Sequence, residues 1–175
     1  MKLKLEVIDN FLAEEQYNNM LNLIDNQDFD WNYCPGYAIN SESQDDLFMF
    51  THFLAGRSGF YYEGANKLMD PIMLRLKELK KCNFEIIRAK LNLFTKSSKN
   101  LRYGFHFDVE DESIKYETII YYLNTNNGGT EFDDGTIVRS QRNRALIVYG
   151  KVNHQSVGQT DTPHRTLFNI NYKRV

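Results

Sequence analysis

The chain has 175 residues, enough for one domain with a real hydrophobic core. A net charge of -2 and the lack of any Lys/Arg-rich run exclude a nucleic-acid footprint. No apolar run approaches the roughly 18 residues that cross a membrane, so no membrane partner is expected either.

Residues Leu3, Leu5 and Val7 alternate with charged neighbours and predict a first strand ending near Asp9. That polar alternation is not a signal peptide, and the location expected is cytoplasmic (host cytoplasm for a viral source). Cys34 and Cys82 lie far apart with no Cys-x-x-Cys, so they read as free thiols in a reducing compartment. Ala13 to Asp25 has helical spacing, with Tyr17, Met20, Leu21 and Ile24 on one side and Asn10 as candidate cap. From Asn26 to Gly59 periodicity fails. This stretch, with Trp31, Tyr33 and Tyr37 followed by an acidic run, reads as an aromatic loop: a substrate-facing lid or plain disorder.

A helical segment follows over roughly Phe60 to Lys80, with Ile72, Leu76 and Leu79 as its buried stripe. Pro71 inside it implies either a second helix capped by Asp70 or a kink. From Asn83 the period switches to two. Strands are predicted over Phe84–Phe94, Tyr103–Val109, Thr118–Leu123, Ala145–Tyr149 and Thr166–Tyr172, with a tight hairpin at Asp133-Asp134-Gly135. Gly128-Gly129-Thr130 reads as a tight turn into another strand, since no helix pattern follows to make it a phosphate loop. The high aromatic content, 14%, fits such β-structure around a lined pocket. The class is α+β: a jelly-roll barrel over residues 83–175, supported on one sheet by helices from residues 1–82.

The chemistry centres on Tyr103-Gly104-Phe105-His106-Phe107-Asp108. On a strand, His106 and Asp108 share a face, about 6–7 Å apart. With His154 further along, in what reads as a polar loop, they make two imidazoles and one carboxylate. That donor set suits a non-haem Fe(II) oxygenase with open coordination sites; a catalytic zinc is the alternative. Arg165 strengthens the iron reading. It shares a strand face with Leu167, Asn169 and Asn171, opposite the more apolar Thr166, Phe168, Ile170 and Tyr172, and so points into the barrel. A buried guanidinium needs a partner: either a bound carboxylate or an acidic side chain of the chain itself. His164 has the wrong parity for a ligand, and His52 reads as incidental.

Together His106-x-Asp108, Thr118-Ile-Ile-Tyr-Tyr-Leu-Asn124, Gly128-Gly-Thr-Glu-Phe132, His154 and Arg165 resemble the Fe(II)/2-oxoglutarate-dependent dioxygenases. The prolyl 4-hydroxylase-like branch is the most similar. The resemblance covers about the C-terminal half and implies a double-stranded β-helix, cupin-like fold. It implies that His106, Asp108 and His154 hold Fe(II), and that Arg165 and Tyr122 bind the far carboxylate of 2-oxoglutarate. O2 is the other cosubstrate, ascorbate a further cofactor that the family allows, and succinate and CO2 the coproducts. Where several prolyl hydroxylases have a cosubstrate-binding Tyr, this chain has Phe94, and Asn92 is the substitute. The substrate implied is a prolyl residue of a peptide or protein. The alternatives are a free amino acid, nucleobase or other small molecule, or a binding module that has lost catalysis.

Overall fold

A computed structural model describes residues 3–35, 47–56, 59–60, 64–109, 111 and 113–175, except the side chain of Phe60. In chain order the elements are β1 (Leu5–Ile8), α1 (Glu14–Ile24), β2 (Asn32–Pro35), β3 (Phe48–Gly56), β4 (Gly59–Phe60) and α2 (Ala65–Lys80). They continue with β5 (Phe84–Thr95), β6 (Glu117–Tyr122), β7 (Gly129–Phe132), β8 (Ile137–Arg139), β9 (Arg144–Tyr149), β10 (His154–Val157) and β11 (His164–Arg174).

Every strand pairing is antiparallel. A large sheet runs β1-β9-β6-β11-β5-β3-β2, with β4 on β3, and a small sheet runs β10-β7-β8. Strands β5 and β11 are long, and β11 sits between β5 and β6. Because side chains alternate, each strand of the large sheet feeds two cores. Phe168, Ile170 and Tyr172 of β11 face α1 and α2, meeting Tyr17, Met20, Leu68 and Ile72. Leu167 of β11, Tyr122 and Ile120 of β6 and Phe94 of β5 face the small sheet, meeting Phe132 and Val138. The jelly-roll-like arrangement of two antiparallel sheets, with helices against one of them, is as the sequence predicts.

Several local expectations are corrected. The stretch read as an aromatic loop contains β2 and β3, and β3 lies in the large sheet beside β5. The helices therefore do not all precede the strands, and the part read as helical support contributes strands to the main sheet. The lid expectation for residues 36–46 lies outside the described residues. Pro71 interrupts nothing: α2 is one helix from Ala65 to Lys80. Its buried positions are Ala65, Leu68, Met69, Ile72 and Leu76, while Leu79 is exposed. Val7 is likewise exposed on edge strand β1. Asn10 does not cap α1; the N-cap is Ala13, whose N–H donates to Gln16 Oε1. Tyr103–Val109 is not a regular strand. Gly104 has φ +81°, a left-handed conformation that interrupts strand alternation, and only two isolated bridges, Arg102 to Val157 and His106 to His154, tie the segment to β10.

Asn143 joins the N-terminus to the barrel. Its Oδ1 accepts from Leu12 N–H (2.9 Å) and the Tyr121 hydroxyl (2.7 Å), and its Nδ2 donates to the Leu12 carbonyl. Its φ of +56° is one that Asn tolerates better than most residues. Asn143→Ala leaves these buried groups unpaired and should cost about 2–4 kcal/mol. Urea denaturation measures it, and a loss under about 0.5 kcal/mol would contradict this bonding.

Candidate metal centre and carboxylate pocket

The space between the two sheets carries the polar side chains. His106, Asp108 and His154 each present one ligand atom, all within 4.8 Å of one another. His154 is not in a loop: it opens β10 and pairs with Phe132 of β7. The backbones of His106 and His154 bond each other in both directions, at 2.9 and 3.1 Å, which sets their rings side by side with centroids 4.9 Å apart. Each imidazole is oriented the same way. His106 Nδ1 lies 3.0 Å from the Gly104 carbonyl, and His154 Nδ1 lies 3.0 Å from the Val152 carbonyl. A carbonyl only accepts, so each Nδ1 carries a proton, which leaves Nε2 as the ring nitrogen available to an ion. Burial, with His154 adding to it, lowers the pKa of His106, which favours the neutral, ligating form.

Asp108 is the third donor, and its side chain has no exposure. Oδ1 accepts from Arg88 Nη2 and Asn169 Nδ2, both at 3.0 Å. Oδ2 accepts from Asn171 Nδ2 (3.0 Å) and the Thr118 hydroxyl (3.2 Å), and lies 3.6 Å from His154 Nε2. Desolvation alone would raise its pKa, but the fields of His154, Arg88, His106 and Lys90 more than offset it, and the carboxyl sits below its ordinary range. Asp108 is thus a carboxylate held rigidly beside two imidazoles. Two nitrogens, one oxygen and free coordination positions fit a divalent iron-type ion.

Arg165 lies toward the other end of the same sheet face. Strand parity aims it inward, as the sequence predicts, and it is fully buried. Its guanidinium sits 4.9 Å from the Phe94 ring centroid and 5.8 Å from that of Tyr122. Nη2 donates to the Gly129 carbonyl at 2.8 Å, whereas Nε and Nη1 have no hydrogen-bond partner. No acidic side chain among the described residues pairs with it. Burial pulls its pKa down to about 10, so the group stays cationic at neutral pH. Gly128 makes room for it, and Gly129 lets β7 approach β8 closely. A Cβ on Gly128 would stand 2.6 Å from the Val157 carbonyl oxygen and 3.0 Å from Arg165 Cδ, and one on Gly129 would stand 2.4 Å from the Val138 carbonyl oxygen. The turn read from the sequence is therefore the cradle of Arg165.

Tyr122 is fully buried, and its hydroxyl donates to Thr130 Oγ1 at 2.7 Å. Asn92, cross-strand from Leu167, is buried with Oδ1 unpaired; so is Oδ1 of Asn169. His164 is exposed and outside the metal cluster. His52 is on the opposite sheet face, against Phe29 with Nδ1 2.6 Å from the Asp30 carbonyl oxygen. Sequence reasoning missed Tyr103, which strand parity sends outward. It is buried, packs edge-on to Phe94 at 4.8 Å, and lies close enough for Arg165 to oppose the rise that burial gives its phenol pKa. It also missed Arg88 and Thr118 as donors to Asp108. Both occupy the inward parity of their strands, which was the available signal.

Addition of Mn(II) or anaerobic Fe(II) should raise the melting temperature of the protein. His106→Ala should abolish the rise, because a ligand that binds only the folded state stabilises it. An undiminished rise in that variant would place the ion elsewhere.

No protein-family model matches the sequence, and no curated protein matches it. Solved structures do. A viral collagen prolyl hydroxylase from Paramecium Bursaria Chlorella virus-1, solved with 2OG, matches at a TM-score of 0.61 and 15% identity, over 98% of this chain and 95% of that one. A 2OG-Fe(II) oxygenase family oxidoreductase from Burkholderia pseudomallei matches at 0.67 and 9%, over 97% and 85%. A prolyl hydroxylase from Trichoplax adhaerens, in complex with a hypoxia inducible factor peptide fragment, matches at 0.61 and 14%, over 96% and 82%. At these identities the likeness is one of fold: the chain folds as the 2OG-Fe(II) oxygenases do, prolyl hydroxylases among them.

Proposed function

We propose that the chain is an Fe(II)- and 2-oxoglutarate-dependent oxygenase, acting as a single domain over residues 1–175 with a double-stranded β-helix core. It hydroxylates an unactivated C–H bond, that of a prolyl residue in a peptide or protein. One observation carries the reading. A buried arginine with two unpaired N–H donors shares an inter-sheet space with a His-Asp-His cluster. Position 165 lies four residues from Asn169, which bonds Asp108, a strand distance of about 13 Å. The Arg165 side chain and the stand-off of an ion from Asp108 shorten that gap to the scale of a small dicarboxylate.

In this assignment His106 Nε2, His154 Nε2 and Asp108 hold the iron. With O2 and 2-oxoglutarate, the bound iron supplies the oxidising power for hydroxylation, yielding succinate and CO2. The chain's own residues bind, orient and exclude water. Arg165 takes the far carboxylate through Nε and Nη1, the two donors left open. Tyr122 turns its hydroxyl from Thr130 to the same carboxylate. Asn92, with its amide reversed, offers Nδ2 to the cosubstrate, and Phe94 and Tyr103 keep the guanidinium dry, which strengthens its grip. The prolyl hydroxylases among the structural neighbours, one of them bound to a peptide fragment, support a peptidyl substrate.

The test is succinate release from 2-oxoglutarate with Fe(II), O2 and proline-containing peptides, with mass spectrometry for one added oxygen. Arg165→Ala should raise the KM for 2-oxoglutarate by at least about 30-fold, since a charge-assisted bidentate contact contributes roughly 2–3 kcal/mol, while Fe(II) still binds. Gly128→Ala, which crowds Arg165, should raise the same KM with metal affinity unchanged. An unaltered KM in Arg165→Ala would sink the assignment.

A further inference from the structure

A second cavity, of about 630 Å³, lies on the opposite face of β5, β6 and β11, under the C-terminal half of α1. Its apolar walls are Leu21, Ile24, Phe29, Trp31, Leu93 and Leu123. Leu93, Leu123 and Thr166 each neighbour in sequence a residue that faces the small sheet, so the cavity and the His-Asp-His cluster lie on opposite faces of the large sheet. The size is that of a small-molecule site.

The charge at the mouth selects the guest. Asp25, at the C-cap of α1, lines the cavity, and its carboxylate has no hydrogen bond or ion pair among the described residues. The last turn of α1 holds no basic residue, so its partial negative end is uncompensated there. Arg142 also lines the mouth, but Glu14 pairs with it at 2.5 Å. That same guanidinium rests 4.6 Å from the Tyr17 ring centroid, so this aromatic surface already accepts a cation. Phe29 and Trp31 pack edge to face, 5.3 Å between centroids, with Trp31 half-buried. Aromatic walls below an unpaired carboxylate favour an organic cation with an apolar body. We propose that this cavity is a second ligand site, distinct from the metal centre, that binds a small organic ammonium ion.

Trp31 is the only tryptophan, so its fluorescence reports occupancy directly. The full chain would be titrated with benzyltrimethylammonium, alongside benzyl alcohol and benzoate as neutral and anionic counterparts. The expected result is a saturable change for the cation in the millimolar range or below, and at least tenfold weaker responses to the other two. Asp25→Asn, at an exposed position, should weaken cation binding about tenfold, with unchanged circular dichroism. No saturable change, an equal response to the neutral or anionic compound, or an Asp25→Asn titration identical to that of the parent would each overturn the proposal. None of these readouts needs iron, so their outcome is independent of the oxygenase assignment.

Discussion

A carboxylate cannot be taken from water into a protein interior without replacements for the hydrogen bonds it loses. Asp108 meets that requirement with four donors, on three strands: Arg88 of β5, Thr118 of β6, and Asn169 and Asn171 of β11. The segment that carries Asp108 has almost no ladder bonds of its own, so these contacts pin it to the large sheet. His106 precedes Asp108 by two residues, and its backbone pairs with that of His154. Fixing Asp108 therefore fixes the angle at which the small sheet approaches the large one. The His-Asp-His cluster and the contact between the two sheets are one arrangement.

Arg165 gives the contrast. It is as deeply buried as Asp108, on the same face of the same sheet, yet only Nη2 is bonded. Leaving the other donors bare costs folding stability. The surroundings retain the group for all that: Phe94 and Tyr122 flank it, and Gly128 leaves room for its side chain. A saturated anion near one end of the sheet and an unsaturated cation near the other define an axis.

The long, alternating strands were legible in the sequence because each has one helix-facing and one barrel-facing side. For β11 that parity sends Arg165 inward and Phe168, Ile170 and Tyr172 toward the helices. Strand β10 was not legible, because His-Gln-Ser-Val is short and polar, and its pairing with β7 is a tertiary matter. Nor were β2 and β3, where aromatic residues fall on both sheet faces and erase the alternation. Tyr103 was misdirected because Gly104 takes a conformation that strand parity does not anticipate. The His-Asp-His triad was visible as residue types. Its convergence depended on β10 and on the bridge between His106 and His154, which no local pattern encodes.

A crystal structure grown anaerobically with Mn(II) and 2-oxoglutarate tests the central claim most directly, since manganese can be placed by its anomalous scattering. The expected result is one ion bonded to His106 Nε2, His154 Nε2 and an Asp108 oxygen, with the far carboxylate of the cosubstrate on Arg165 Nε and Nη1. An ion elsewhere, or Arg165 paired with an acidic side chain of the chain itself, would contradict it.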